Sequence, residues 1–170
     1  MVSDKNEKVH IATLTSNPSE LGAMLYSGYK PSEEAQLAAV TADGLAISDL
    51  ISYGIEPSDK VIYAAVLNDP TIAGYLEDQK ELGIQIPLDL QLAVIKKHGK
   101  NGLRGLISGG LKVYRKTQEA AIKQDASSIE YISMPDSELQ MLAVQTDPAS
   151  FKHIRYPTPN VTEYMDKLAT

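Results

Sequence analysis

The sequence predicts an all-α protein: a short helical-repeat solenoid of about six helix-turn-helix units with a C-terminal capping helix. Three observations lead there. One stretch recurs along the chain, as IATLTSNP at 11–18, LAAVTADG at 37–44, YAAVLNDP at 63–70, QLAV at 91–94, EAAIKQDA at 119–126 and MLAVQTDP at 141–148, and repetition at this period implies stacked supersecondary units. Within each copy the apolar residues follow helical spacing. Between copies stand Pro, Ser and acidic residues, the chemistry of helix starts.

Taken in order, the apolar residue ending each block serves as an anchor: Leu14, Val40, Val66, Val94, Ile122 and Val144, spaced by 26, 26, 28, 28 and 22 residues. Further apolar residues stand seven and ten positions later, as Ile129 and Ile132 after Ile122, or Phe151 and Ile154 after Val144. Asn or Asp at the third position after the anchor, followed by Pro, Gly or Ala, predicts a tight turn between two helices, because these carboxylates and amides bond their own backbone. Pro31-Ser32-Glu33-Glu34, Pro57-Ser58-Asp59 and Pro135-Asp136-Ser137-Glu138 each place a capping oxygen ahead of first-turn acids, which satisfies free N–H groups and suits the helix dipole.

The predicted organisation is a single helical-repeat domain over 1–170, with units at about 5–31, 32–57, 58–87, 88–115, 116–135 and 136–157 and a cap at 158–170. The third unit carries extra residues at 77–87. The fourth replaces the Asp-Gly turn with KKHGKNGLRGLISGGLKVYRK, 96–116, where Gly102, Gly105 and Gly109 are placed to let helices approach closely. The same five-glycine stretch is equally open to being a mobile loop.

Composition narrows the function classes. One Phe, no Trp and no Cys among 170 residues leave a core of Leu, Ile, Val and Ala, with neither a disulfide framework nor a thiolate metal site. No apolar run approaches the roughly 18 residues of a spanning helix, so the chain reads as soluble, cytoplasmic and without membrane contact. The net charge of −6 is uneven: residues 94–124 hold eight basic side chains and one acid, Glu119, while the rest sums to −13.

The units PSEEAQLAAVTADGLAISDLI, PSDKVIYAAVLNDPTIAGYL and PDSELQMLAVQTDPASFKHI resemble the short tandem helical repeats, of unassigned function, found in bacterial and bacteriophage proteins. The resemblance covers roughly 10–157. It implies an all-helical repeat fold and brings no catalytic residues; by analogy it extends to phage accessory proteins that bind and block a host component.

The basic segment is the candidate partner-binding site: Lys96, Lys97, His98, Lys100, Arg104, Lys112, Arg115 and Lys116 offer cations to an acidic protein surface, a nucleic acid or a phosphate. The competing reading is a solvated face that offsets acidic neighbours. No phosphate-binding P-loop is written here, because Gly99-Lys100 is followed by Asn101. His10, His98 and His153 lie far apart and make no metal pair. Asp43, Asp69, Asp125 and Asp147 share one repeat position, where helix capping accounts for them. Tyr26, Tyr53, Tyr75, Tyr114, Tyr131, Tyr156 and Tyr164 form either a contact ridge or edge-of-core packing. No nucleophile with a base and an orienter can be named. The expectation is therefore a non-catalytic interaction protein without cofactor or metal, binding a protein partner as an inhibitor or adaptor. The alternatives are nucleic-acid or phosphate binding through 96–116, and self-assembly as a homo-oligomer.

Overall fold

The computed structural model describes residues 2–169, with side chains from residue 6 onward. The described chain is all-helical, with eleven α-helices, four short 3-10 segments and no strand among those residues. By its contacts it divides into two compact halves, residues 1–85 and 86–170.

The N-terminal half holds α1 (Val2–Ser16), α2 (Glu20–Tyr26), α3 (Glu33–Ala42), α4 (Ile47–Ser52), α5 (Asp59–Asn68) and α6 (Ile72–Asp78). These make three helix-turn-helix pairs whose first helices lie side by side, α1 against α3 and α3 against α5. The C-terminal half holds α7 (Leu88–His98), α8 (Lys100–Ser108), α9 (Arg115–Gln124), α10 (Ser137–Thr146) and α11 (Pro159–Leu168). Here α7 packs on α9, α9 on α10 and α10 on α11. Within 158–170, expected as a cap, the chain forms α11, which buries Val161 and packs on α10.

Four of the turns are each made by a single aspartate. Asp43, Asp69, Asp125 and Asp147 all have extended backbone, with φ −145°, −125°, −152° and −150°. The N–H of each closes the first helix on the carbonyl of Ala39, Ala65, Ala121 or Ala143. Its side chain then accepts the N–H two residues on, at 3.0, 2.9, 2.9 and 2.9 Å, and for Asp43, Asp125 and Asp147 this caps the 3-10 segment that follows. A single residue thus ends one helix and starts another, which makes the turn as short as helix geometry allows. After Asp43 only glycine fits: a Cβ on Gly44 would lie 2.6 Å from the Ala65 carbonyl oxygen of α5.

The anchors form the core. Leu14, Val40, Val66, Ile122 and Val144 are fully buried, as are Leu21, Ile47 and Leu50 of the second helices; each such side chain contributes about 1.5–3 kcal/mol. In the fourth repeat the sequence alignment is one residue out. Gln91 donates to the Ile86 carbonyl, as Gln36 does to Pro31 and Gln140 to Pro135, so Ile95 takes the anchor place and Val94 the small-residue place before it. Both are buried, and apolarity alone does not distinguish them.

This shift puts Gly102 and Gly105 at the seventh and tenth positions after the anchor, where the others carry Leu21, Ile47, Ala73, Ile129 and Phe151, and Met24, Leu50, Leu76, Ile132 and Ile154. A Cβ on Gly102 would sit 2.9 Å from the Val94 carbonyl oxygen and from its Cγ1, so α8 lies directly on α7. The glycine-rich stretch is therefore helical over Lys100–Ser108, with its glycine face turned inward. The second helices α2, α4 and α8 end on Gly28, Gly54 and Gly110 at φ 90°, 74° and 91°. The fifth and sixth repeats lack that glycine and have only 3-10 segments, Ala126–Tyr131 and Pro148–His153, leading into extended Ile132 and Ile154. A left-handed terminal residue, which glycine adopts without steric penalty, closes the α-helical form.

Candidate functional site

The eight basic residues singled out in the sequence do not act as one group. Arg115, in the first turn of α9, bonds Glu119 at 2.9 Å, Glu138 at 3.0 Å and Asp136. This belongs to a series of links between first helices. Seven positions before the anchor, Glu7 accepts from Ser32 of the next repeat and Glu33 accepts from Ser58 at 2.7 Å; Arg115 to Asp136 is the same link in ionic form. Asp136 also caps α10 by accepting the Leu139 N–H at 2.9 Å. That bond first, and Arg115 second, hold its carboxyl below the usual range, while Asp136 and then Glu119 raise the guanidinium.

Glu7 is held low chiefly by its Ser32 bond, with Tyr29 donating to it at 2.9 Å. Lys100 donates to Ser127 at 3.1 Å and lies 4.0 Å from Asp125. Asp125 is held low first by its Ser127 bond. Lys97 and His98 also have partners within the chain. Lys96, Arg104, Lys112 and Lys116 are exposed, with no ion pair or side-chain hydrogen bond among the described residues.

Buried glutamines, unremarked in the sequence, make the other links. Gln91 is 1% exposed, and its Oε1 accepts from the Tyr114 N–H at 3.1 Å and the Thr117 hydroxyl at 3.0 Å. Gln140 likewise donates to the Pro135 and Tyr156 carbonyls and accepts the Thr158 N–H at 2.8 Å. Each joins the start of its own helix to the start of the next.

What remains open to solvent is the outer face of the first helices. Three and two positions before the anchor stand Ile11, Leu37 with Ala38, and Tyr63 with Ala64 in the N-terminal half. Leu92 with Ala93, and Met141 with Leu142, stand there in the C-terminal half. Apart from the more exposed Tyr63, all are half-buried. Three grooves follow this face. One of about 490 Å³ runs between α1 and α3, lined by Ile11, Glu34 and Leu37. A second of about 420 Å³ lies on α5, lined by Asp59, Tyr63 and Leu67. The third, about 450 Å³ between α9 and α10, is lined by Lys123, Met141 and Leu142. The sequence signal for this face was the Leu of the Leu-Ala-Ala-Val block, which helical phase places on the surface rather than in the core.

A separate groove of about 560 Å³ lies in the C-terminal half beside the extended segments after the two 3-10 turns. Its edges carry Met134, 91% exposed at φ 53°, and Tyr156, 73% exposed, with the Arg155 guanidinium over the Tyr156 ring. His153 pairs with Glu130 at 3.2 Å within it. Of the expected tyrosine ridge, Tyr26, Tyr53, Tyr114 and Tyr156 are exposed and Tyr75, Tyr131 and Tyr164 half-buried.

Among the described residues no group of three His, Asp or Glu side chains is placed to hold a metal ion, and no helix is long and apolar enough to cross a membrane. In comparisons with protein-family models, curated proteins and solved structures, nothing matches the chain.

Proposed function

We propose that the chain is a non-catalytic interaction protein, its helix-turn-helix repeats stacked as a short solenoid, that binds a macromolecular partner across the outer face of its first helices. One observation carries this reading. The positions three and two before the anchor of α1, α3, α5, α7 and α10 present partly exposed apolar side chains, α9 having Glu119 and Ala120 there, and grooves of similar size recur along this face in both halves. A repeated, partly apolar face bordered by charge is what repeat proteins use to bind. In the setting the repeat resemblance implies, the partner is a host protein that the chain blocks or adapts.

Nucleic-acid binding through 96–116 ranks second: Lys96, Arg104, Lys112 and Lys116 favour it, whereas Lys100 and Arg115 already serve internal links. The test is capture from nuclease-treated cell extract at low and moderate salt, comparing the parent with a Leu37→Glu/Tyr63→Glu variant of unchanged melting curve. The expected result is a protein captured by the parent and lost by the variant. Equal capture by both, or recovery of nucleic acid alone from untreated extract with loss at higher salt, would refute the reading.

A further inference from the structure

We infer that one occupant of this face is a second copy of the chain, the α1–α3–α5 face of one molecule docking on the α7–α9–α10 face of another. The inference rests on the reading of the first-helix face as a binding face, and it adds the chemistry of a partner.

Charge decides which face meets which. The N-terminal half contains thirteen acids and five basic residues, a formal charge of −8, and the C-terminal half eleven basic residues and nine acids, +2. Two N-terminal halves repel each other, and an N-terminal half attracts a C-terminal one. Among side chains without an ion pair the same asymmetry holds at close range, since Lys60 in the α5 groove is paired to Glu33, and Glu119 and Glu138 in the α9–α10 groove are paired to Arg115. Glu34 and Asp59, which line the grooves on α3 and α5, have no ion pair among the described residues. On the other half Lys96, Lys116 and Lys123 are in that state, against one such acid on these helices, Asp89. Lys123 stands beside Met141 and Leu142 in the groove between α9 and α10. Apolar ridge thus meets apolar ridge with acids opposite lysines, the arrangement that fixes register in an interface.

Three helices of about ten residues, each about 15 Å long and about 10 Å from its neighbour, present roughly 450 Å². One acidic face on one basic face then buries roughly 900 Å² over the two partners, the size of a weak, reversible association.

The test is light scattering on the full chain over about 1–300 μM in about 50 mM and 500 mM salt. The expected mass rises from the 18.5 kDa monomer to at least twice that value, and it falls back with salt. Lys96→Glu/Lys123→Glu weakens association at least about tenfold, as does Glu34→Lys/Asp59→Lys. The fourfold exchange in one chain restores it, with melting curves checking that every variant folds. A parent that stays monomeric at the highest concentration in low salt, or a fourfold exchange that restores nothing, overturns self-association. Those results leave the capture experiment standing. Association untouched by Leu37→Glu/Tyr63→Glu would instead sink the binding face on which the inference rests.

Discussion

Replacing Gln91 by Met keeps the length and flexibility of the side chain and removes its hydrogen bonds. In the parent, Gln91 Oε1 is the acceptor for the Thr117 hydroxyl and the Tyr114 N–H, and Nε2 donates to Ile86 at 3.3 Å. Gln91 is 1% exposed and Thr117 fully buried, so the Thr117 hydroxyl loses its acceptor where water cannot replace it. A buried polar group left unpaired costs about 1–3 kcal/mol, whereas the N–H of the more exposed Tyr114 regains part of its loss from water. The long bond to Ile86 adds little. Against this stands a gain of under about 1 kcal/mol from burying a thioether in place of an amide. The net expectation is a loss of about 2–3 kcal/mol, seen as a fall of roughly 5–10 °C in Tm for a chain of this size.

Denaturant unfolding at constant m-value is the assay. Thr117→Val added to Gln91→Met removes the orphaned hydroxyl. The double variant is then less destabilised than the sum of the singles by about 1 kcal/mol or more. A Gln91→Met protein within about 0.5 kcal/mol of the parent, or strict additivity in the cycle, would refute the clamp.

Three further outcomes follow from the structure. Gly44→Ala destabilises by about 1–3 kcal/mol, since the new Cβ would meet the Ala65 carbonyl oxygen and Asp69 of α5; an unchanged melting curve would contradict that close approach. Met134→Gly stabilises by about 0.5–1 kcal/mol, because a residue at φ 53° whose side chain is 91% exposed loses left-handed strain and little contact. A destabilised variant would mean that the Met134 side chain holds the groove. Glu7, Asp125 and Asp136 have native pKa values below their ordinary ones, so their contribution is complete above about pH 4–5 and lost as pH falls through the lowered native values. Tm is then flat from neutral pH to about 5, falls below about 4, and falls less steeply in Asp136→Asn; a slope unaffected by that change would remove Asp136 from the account.

Legibility in the sequence followed the range of the interaction. The turns were readable because an Asp after a helical run bonds backbone two residues away, and Asp43, Asp69, Asp125 and Asp147 all do so. The core was readable because helical phase brings Ala35 and Ala39 of α3, or Ile47 and Leu50 of α4, to one face of their own helix, and all four are buried. Much less of the candidate site could be read. Arg115 looked like one cation in a basic run; its partners Asp136 and Glu138 arrive 21 and 23 residues later. Leu37, Tyr63 and Met141 stand in an apolar block, and only the packing of α1, α3 and α5, or of α9 and α10, shows which side of the block faces out.

Local chemistry by itself determined the all-helical class and the four turns made by Asp43, Asp69, Asp125 and Asp147, since capping and helical phase act within one turn of chain. Tertiary structure decided the anchor register of the fourth repeat, the inward face of Gly102 and Gly105, the Gln91 and Gln140 clamps and the division into two halves of opposite charge. Val94 and Ile95 are both apolar, and glutamine is ordinarily a surface residue. What separates such choices is which neighbouring helix stands opposite, a property of packing between segments about 25 residues apart in the chain.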